Sequence, residues 1–344
     1  MAAKLNGKDI AKLAGVSVSA VSIVLNGKPG VSDKTREKIS KILEENNIKP
    51  RTGSRKNYAE RKDILFCKIA RNGNILNERH NVFISEYADG IVEESNRQGF
   101  NIEVLRFDKD KSIDEIIDSI RKRTWVSGCI VLATEFTSSD VDAFNNLGIP
   151  VVFVDSMFFR LSGMFVNMDN TGMTYTALKY LKDMGHTRIG ILQNSSSRNF
   201  FERSRAFRIS AGELGLQYNP DWVLDVRTTH AEACRDISRL ITAMDSKNMP
   251  TAFLAVSDVI AIAALQTFEE LGIKVPQQIS VIGFDNLPVS SVVQPALTTM
   301  DVPKLPIGRF SVRLLKDSMD QSRVLPNRCV FNGKLVERSS VAKI

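Results

Sequence analysis

Apolar positions follow two different rhythms along the chain. Ile10, Leu13 and Ala14 recur at the i, i+3, i+4 spacing of an amphipathic helix, with Asn6 placed to cap its start, Asp9 three residues later and Gly15 at its end. Ser17 is placed to cap a second helix that runs to Leu25 and turns Val21, Val24 and Leu25 inward. A third helix is predicted from Ser32 to about Glu45, with Ile39, Ile42 and Leu43 on its buried side. Two helices joined by a short glycine-containing turn make a helix-turn-helix, the arrangement that offers the start of its second helix to the major groove of a duplex.

From residue 63 the rhythm changes to short apolar runs alternating with amphipathic stretches: DILFCKI, EYADGIVEESNRQG, FNIEVLRF, SIDEIIDSIRKR and SGCIVLA. That alternation predicts βαβ units and a parallel sheet covered on both faces. VVFVD at 151–155 closes a first set, and RIGILQN, WVLDV, TAFLAVSD and SVIGFD form a second with helices between. The predicted fold is an N-terminal all-α helix-turn-helix headpiece at 1–48, a linker at 49–62 and a two-lobed α/β domain at 63–344 with two parallel, doubly wound sheets. The lobes are expected to comprise about 63–157 with 288–318, and about 158–287 with 319–344. Open sheets of this kind bind ligands in the crevice at the carboxyl ends of their strands.

Charge sharpens the division. The formal net charge is +7, but residues 1–62 carry +8 and residues 63–344 carry −1. A basic module on a near-neutral body is the electrostatic footprint of a phosphate-backbone binder. No run approaches the ~20 apolar residues of a membrane span, so no membrane partner is expected. The chain begins MAAKLNGKDIAKLAG, without the apolar core of a secretory signal, and a cytoplasmic location is the expectation. Cys67, Cys129, Cys234 and Cys329 are far apart and read as buried thiols. His80, His186 and His230 are equally scattered, and no HExxH, GxSxG or GxxxxGK[ST] occurs, so neither a metal, a cofactor nor catalysis is expected.

The run KDIAKLAGVSVSAVSIVLNGKPGVSDKTREKI resembles, nearly residue for residue, the DNA-binding headpiece of the lactose/galactose repressor (LacI/GalR) family. The resemblance continues in order and spacing through PVVFVD, VNMDNTGMTYTALKYLKDMGHTRIGIL, SDVIAIAAL, ISVIGFDN, PALTTMDVP and LVERSS, and so covers essentially the full chain. It implies a transcriptional regulator of the repressor kind, whose effector domain is similar to type I periplasmic sugar-binding proteins. The implied partners are a pseudo-palindromic double-stranded operator, a second copy of the chain in a homodimer, and a small polar effector. Sugars and sugar derivatives dominate the family's effectors, and purines and nucleosides also occur.

Carried onto this sequence, the resemblance assigns base reading to Val18, Ser19 and Ile23. It assigns phosphate contact to Ser17, Ser22, Asn26, Ser32 and Thr35, with Asn6 beside them; for Ser17 and Ser32, helix capping is an equal reading. Ile23 departs from an arginine common in the family: an arginine pairs bidentately with guanine, whereas isoleucine makes only apolar contact, such as with a thymine methyl. In the linker, Arg51, Arg55 and Lys56 suit electrostatic contact with a narrow minor groove, a flexible solvated tether being an equal reading, and Asn57 is a further DNA-contact candidate. Asn57 stands where the family wedges a leucine into the minor groove, and Gly53 weakens a hinge helix there.

In the cleft the resemblance implies a pocket formed by Phe83, Asp155, Asn199, Arg203, Ser257, Asp258 and Asp285. RSRAF is similar to the family's RxxGF, placing Arg203 at the effector-binding arginine, where its fork suits ligand oxygens. Asp258 and Asp285 stand at strand ends, where carboxylates accept from hydroxyls or cap helices. The aromatic that often stacks on the ligand from the second lobe is missing from LDVRTTHAEACRD, where Thr229 is nearest. The competing reading, a sugar-active enzyme or carbohydrate-binding protein with an appended DNA-binding head, predicts a phosphate loop or an activated nucleophile that the sequence does not display.

Overall fold

The computed structural model describes residues 7–25, 31–46, 62–71, 78–320 and 326–344. It divides into two compact units, Met1–Lys62 and Asp63–Ile344. Asn6, Asn26, Arg51, Arg55, Lys56 and Asn57 lie outside the described residues.

The first unit contains α1 (Gly7–Ala14), α2 (Val18–Leu25) and α3 (Asp33–Glu45). Gly15, at φ 64°, takes the left-handed conformation that ends α1 and turns the chain toward α2, a conformation that favours glycine. The small core unites Ile10, Ala11, Ala14, Val21, Val24, Ile39 and Leu43, with Ile42 partly buried against it. Leu13, expected inside, is 58% exposed. Ile10, Ala11 and Ala14 make one stripe on the helix and leave Leu13 roughly 100° to its side. An alanine at position 11 therefore does the packing that the leucine was expected to do.

The second unit opens with β1 (Asp63–Ile69), α4 (Glu78–Gln98), β2 (Asn101–Phe107), α5 (Ile113–Arg121), β3 (Val126–Leu132), α6 (Ser138–Asn145), β4 (Val151–Val154) and β5 (Met164–Met168). It continues with α7 (Asn170–Asp183), β6 (Ile189–Gln193), α8 (Arg198–Glu213), β7 (Val223–Asp225), α9 (His230–Ala243), β8 (Ala252–Ala255) and α10 (Asp258–Glu270). Then follow β9 (Ser280–Asp285), β10 (Thr298–Asp301), α11 (Lys304–Asp320), β11 (Asn327–Phe331) and β12 (Lys334–Val336). Local chemistry fixes several starts: Ser112 and Glu115 form a reciprocal capping box on α5, and Thr137 and Asp140 form another on α6.

Two six-stranded sheets result, ordered β11-β5-β4-β3-β1-β2 and β12-β10-β9-β8-β6-β7. The first is parallel throughout, and the second carries one antiparallel edge where β12 pairs with β10. The chain passes between lobes three times, after β5, after β10 and after β11. These crossings, at 168–170, 301–304 and 331–334, correct the expected breaks near 157, 287 and 318. The reason is strand pairing: Met164 sits beside Val152, which keeps β5 in the first sheet, and Thr298 sits beside Ile282, which keeps β10 in the second. β11 then returns to pair with β5 in the first lobe.

The first lobe is held by α4 against α11. A Cβ on Gly90 would collide with the Leu305 carbonyl, and one on Gly308 with the Tyr87 carbonyl, so two glycines let the helix backbones touch. Arg309 donates to Glu93 at 2.7 Å and Arg313 to Glu94 at 3.0 Å along the same seam. Among the described residues no helix is long and apolar enough to cross a membrane.

Candidate functional site

In the first unit the start of α2 is both capped and presented. The Ala20 amide donates to Ser17 Oγ at 3.1 Å, and the Thr35 amide to Ser32 Oγ at 3.3 Å, so both serines act as helix caps. Val18 is an exposed apolar residue, Ser17, Ser19 and Ser22 are exposed beside it, and Ile23 is half-buried. An apolar side chain left in water at a helix start, flanked by hydroxyls, is suited to base-edge and phosphate contact.

In the second unit the carboxyl ends of β4 and β9 meet across the two lobes. Asp155 follows β4 and Asp285 ends β9, with φ of 64° and 121°, and Asn286 follows at 50°. Side-chain-bearing residues in the left-handed region are held there by their surroundings, and such strain concentrates at binding sites. Asp155 accepts from Tyr87 Oη at 2.9 Å and from Thr134 Oγ1, both in the first lobe. From α8 of the second lobe, Asn199 Nδ2 donates to the Asp155 carbonyl at 3.0 Å and to its Oδ1 at 3.1 Å. Asn199 Oδ1 in turn accepts from Asn167 and Asn170, each at 2.9 Å.

Arg203 continues the network. Its Nε donates to Asn170 Oδ1 at 2.9 Å, and Nη1 to the Val256 carbonyl at 2.6 Å and to Asp285 Oδ1 at 3.2 Å. The guanidinium lies 3.6 Å from the centroid of the Phe284 ring. Lys304, from α11 of the first lobe, donates to the Asp285 carbonyl at 2.9 Å, lies 3.6 Å from Glu86 and sits over Phe83 at 5.2 Å. Polar bonds thus run unbroken between the lobes through buried groups.

Burial in low dielectric disfavours the charged forms here. It pushes Asp285 up to about 7 against the opposing pull of Arg203, and it raises Asp155 against the hydrogen bonds from Thr134 and Tyr87. Burial and the neighbouring Asp155 carboxylate also hold the Tyr87 phenol well above its usual value.

Of the residues expected in the pocket, Asp155, Asn199, Arg203 and Asp285 fall in this one network, and Phe83 joins it through Lys304. Ser257 and Asp258 serve the scaffold. Ser257 Oγ caps α10, accepting from the Ile260 amide at 3.4 Å. The Asp258 carboxylate accepts from the Leu287 amide at 2.8 Å, Ser290 Oγ at 2.6 Å and Thr299 Oγ1, which holds the turn after β9. Thr229 begins α9 and donates to Glu232. The sequence reading passed over Tyr87, Thr134, Asn167, Asn170 and Lys304. Their signals were present: Tyr87 follows Phe83 by one turn, both asparagines lie in VNMDN, and Lys304 follows PALTTMDVP. Beside the network the cleft opens to a mouth of about 420 Å³ between Thr134–Ser138 and Ser195–Arg198.

Comparison with known proteins agrees with this architecture. Residues 8–51 match the model of bacterial regulatory proteins of the lacI family, and residues 178–341 match a periplasmic binding protein-like domain. The HTH-type transcriptional repressor PurR of Vibrio parahaemolyticus is 31% identical over 348 residues, spanning 98% of both chains. That of Aliivibrio fischeri (strain MJ11) is 28% identical over 343 residues, with 97% of each covered. Among solved structures, the Lac repressor dimer bound to operator and the anti-inducer ONPF superposes with a TM-score of 0.73 at 21% identity, covering 99% of this chain and 100% of that one. The transcriptional regulator CelR–cellobiose complex gives 0.71 at 23% identity, covering 98% and 100%. With its helix-turn-helix head and two-lobed effector domain, this chain belongs to the LacI family of bacterial transcriptional regulators.

Proposed function

We propose that this chain is a homodimeric repressor that acts in the cytoplasm, reads a pseudo-palindromic operator and is switched by a small polar effector, a sugar or sugar derivative, held between its lobes. The observation that carries the DNA half is the exposed start of α2 on a unit of net charge +8. Val18, Ser19 and Ile23 are assigned to base edges, and Ser17, Ser22, Ser32 and Thr35 to phosphates, with Asn6, Asn26, Arg51, Arg55 and Asn57 as further contacts. Two-fold symmetry in the dimer matches two half-sites. The repressor names of the PurR relatives and the operator-bound Lac repressor dimer support this reading.

The effector half rests on the network between Asp155 and Asp285. A ligand whose hydroxyls donate to these carboxylates, and whose oxygens accept from Arg203, exchanges for bonds that now join the lobes. Ligand occupancy and lobe geometry are then coupled, by about 1–3 kcal/mol in typical allosteric proteins. The cellobiose-bound CelR structure supports a sugar. The function is binding, without a catalytic step.

The test uses the full chain. Duplexes selected from a random pool are assayed by gel shift, and affinity is expected to fall steeply as salt rises from ~50 to ~200 mM. A flat salt response overturns the phosphate contacts. A thermal-shift screen of sugars, sugar phosphates and nucleosides follows, because a ligand of the folded state raises apparent stability. A hit that alters operator affinity supports the switch; hits that leave it unaltered, or are turned over, overturn the effector reading.

A further inference from the structure

A second, larger space adjoins the mouth of the cleft on the outer flank of α8 and shares Ser138, Phe158, Arg198 and Phe201 with it. It is a groove of about 880 Å³ between the segment after β4, at Phe158–Leu161, and the α8 face carrying Arg198, Phe201, Arg205 and Ile209. That volume lies within the range of small-molecule sites. Phe159 is 58% and Phe201 41% exposed, and Ile209 is exposed beside them. Large apolar side chains left in water on both walls of one groove mark a binding surface more than a scatter of surface residues would.

The charge of the groove is one-sided. Arg160, Arg198 and Arg205 line it against the single carboxylate of Glu202. Arg198 lies 5.9 Å from the Phe158 ring centroid and 5.3 Å from that of Phe201, and it pairs with Glu202 at 2.7 Å. Its Nε is buried and finds no acceptor among the described residues. Glu202, more than nine-tenths buried, is shared with Arg205 at 3.5 Å, so one acid faces two of the three cations. A buried donor without an acceptor is a costly feature, which a ligand oxygen would relieve.

We propose that this groove, whose lining includes none of Asp155, Asn199, Arg203 and Asp285, is a lateral ligand site at the edge of the cleft that takes an amphiphilic anion: a sulfonate, carboxylate or phosphate carried on an aromatic body. The anionic group meets Arg198, Arg160 and Arg205, and the ring lies against Phe159 and Phe201. This inference goes beyond the operator-switching function and does not depend on it.

The probe is 8-anilinonaphthalene-1-sulfonate, titrated by fluorescence into the folded full chain, with N-phenyl-1-naphthylamine as its uncharged congener. Saturable binding at one site is expected, weakened about tenfold by Arg160→Glu and by Phe201→Ala, consistent with loss of one charged or one aromatic contact. Arg208→Glu, the same charge change at an exposed position of α8 outside the groove, is expected to leave binding unchanged. Circular dichroism melts establish that each variant is folded. Non-saturable uptake, equal affinity for the uncharged congener, undiminished binding in the folded Arg160→Glu and Phe201→Ala proteins, or equal loss in Arg208→Glu overturns the proposal.

Discussion

Asn199 donates to both the backbone carbonyl and the carboxylate of Asp155, at 3.0 and 3.1 Å, and so ties α8 of the second lobe to the end of β4 in the first. Removing the amide leaves Asp155, Asn167 and Asn170 each short of a partner. Asn199→Ala is expected to lower the stability of the effector unit by about 1–3 kcal/mol. A double-mutant cycle with Asp155→Ala, read from urea midpoints, should return a coupling energy of at least ~0.5 kcal/mol. Strict additivity would show that the two groups touch without holding each other.

Arg203 offers a fork rather than a point charge. Arg203→Lys keeps one cation but loses the fork that bonds Asn170 through Nε and both Val256 and Asp285 through Nη1. The expected outcome is a folded protein with unchanged operator affinity and at least about tenfold weaker binding of the ligand found by thermal shift. Calorimetric titration decides it, and an unchanged ligand affinity would remove Arg203 from the site.

Asp285 gives the effector unit a pH dependence of unusual sign. Its folded pKa of about 7 lies above its ordinary range, so the folded protein keeps a proton that the unfolded chain has released. Stability through this group is greatest in acid, declines as pH rises from about 4 to about 7, and is level above. Asp285→Asn abolishes that decline. The difference in urea midpoint, wild type minus variant, is expected to fall between pH ~5 and pH ~8, and a difference that grows with pH contradicts the account.

Ser17 and Ile23 separate folding from reading in the headpiece. Ser17→Ala removes the cap on α2 and is expected to cost about 1 kcal/mol of headpiece stability. Ile23→Arg leaves the core intact and supplies a bidentate donor, so duplex selection should shift toward guanine at one half-site position, by about 1–3 kcal/mol of discrimination. Identical selected sites for both proteins would place Ile23 away from the bases.

The seam between α4 and α11 tolerates no added carbon. Gly90→Ala and Gly308→Ala each force the helix backbones apart and are expected to cost about 1–3 kcal/mol, read as a lowered melting temperature. Wild-type melting of both variants would mean that the helices slide freely.

Elements with strong periodicity were legible in the sequence. DILFCKI is β1 residue for residue, and the start of α2 at Ser17 follows from one serine. The lobe boundaries were less so. β11, with its largely exposed NRCVF, carries no continuous apolar run, because a sheet-edge strand needs to bury little. The site followed the same division: Asp155 and Asp285 stand at visible strand ends, whereas Lys304 comes from a distant helix and reaches Asp285 only after the lobes are assembled. Asp258 looked like a ligand carboxylate because sequence does not show that Leu287, Ser290 and Thr299 already occupy it.

The pairing of β11 with β5 and of β12 with β10 also orders the protein's synthesis. Residues 327–331 supply the last edge of the first sheet and 334–336 that of the second, so each sheet gains an edge strand only after both lobes' other strands have been made. The nascent first lobe therefore waits, with β5 unpaired on one side, while the entire second lobe is made. A chain cut near residue 320 would lack both β11 and β12 and so leave an edge strand missing from each sheet.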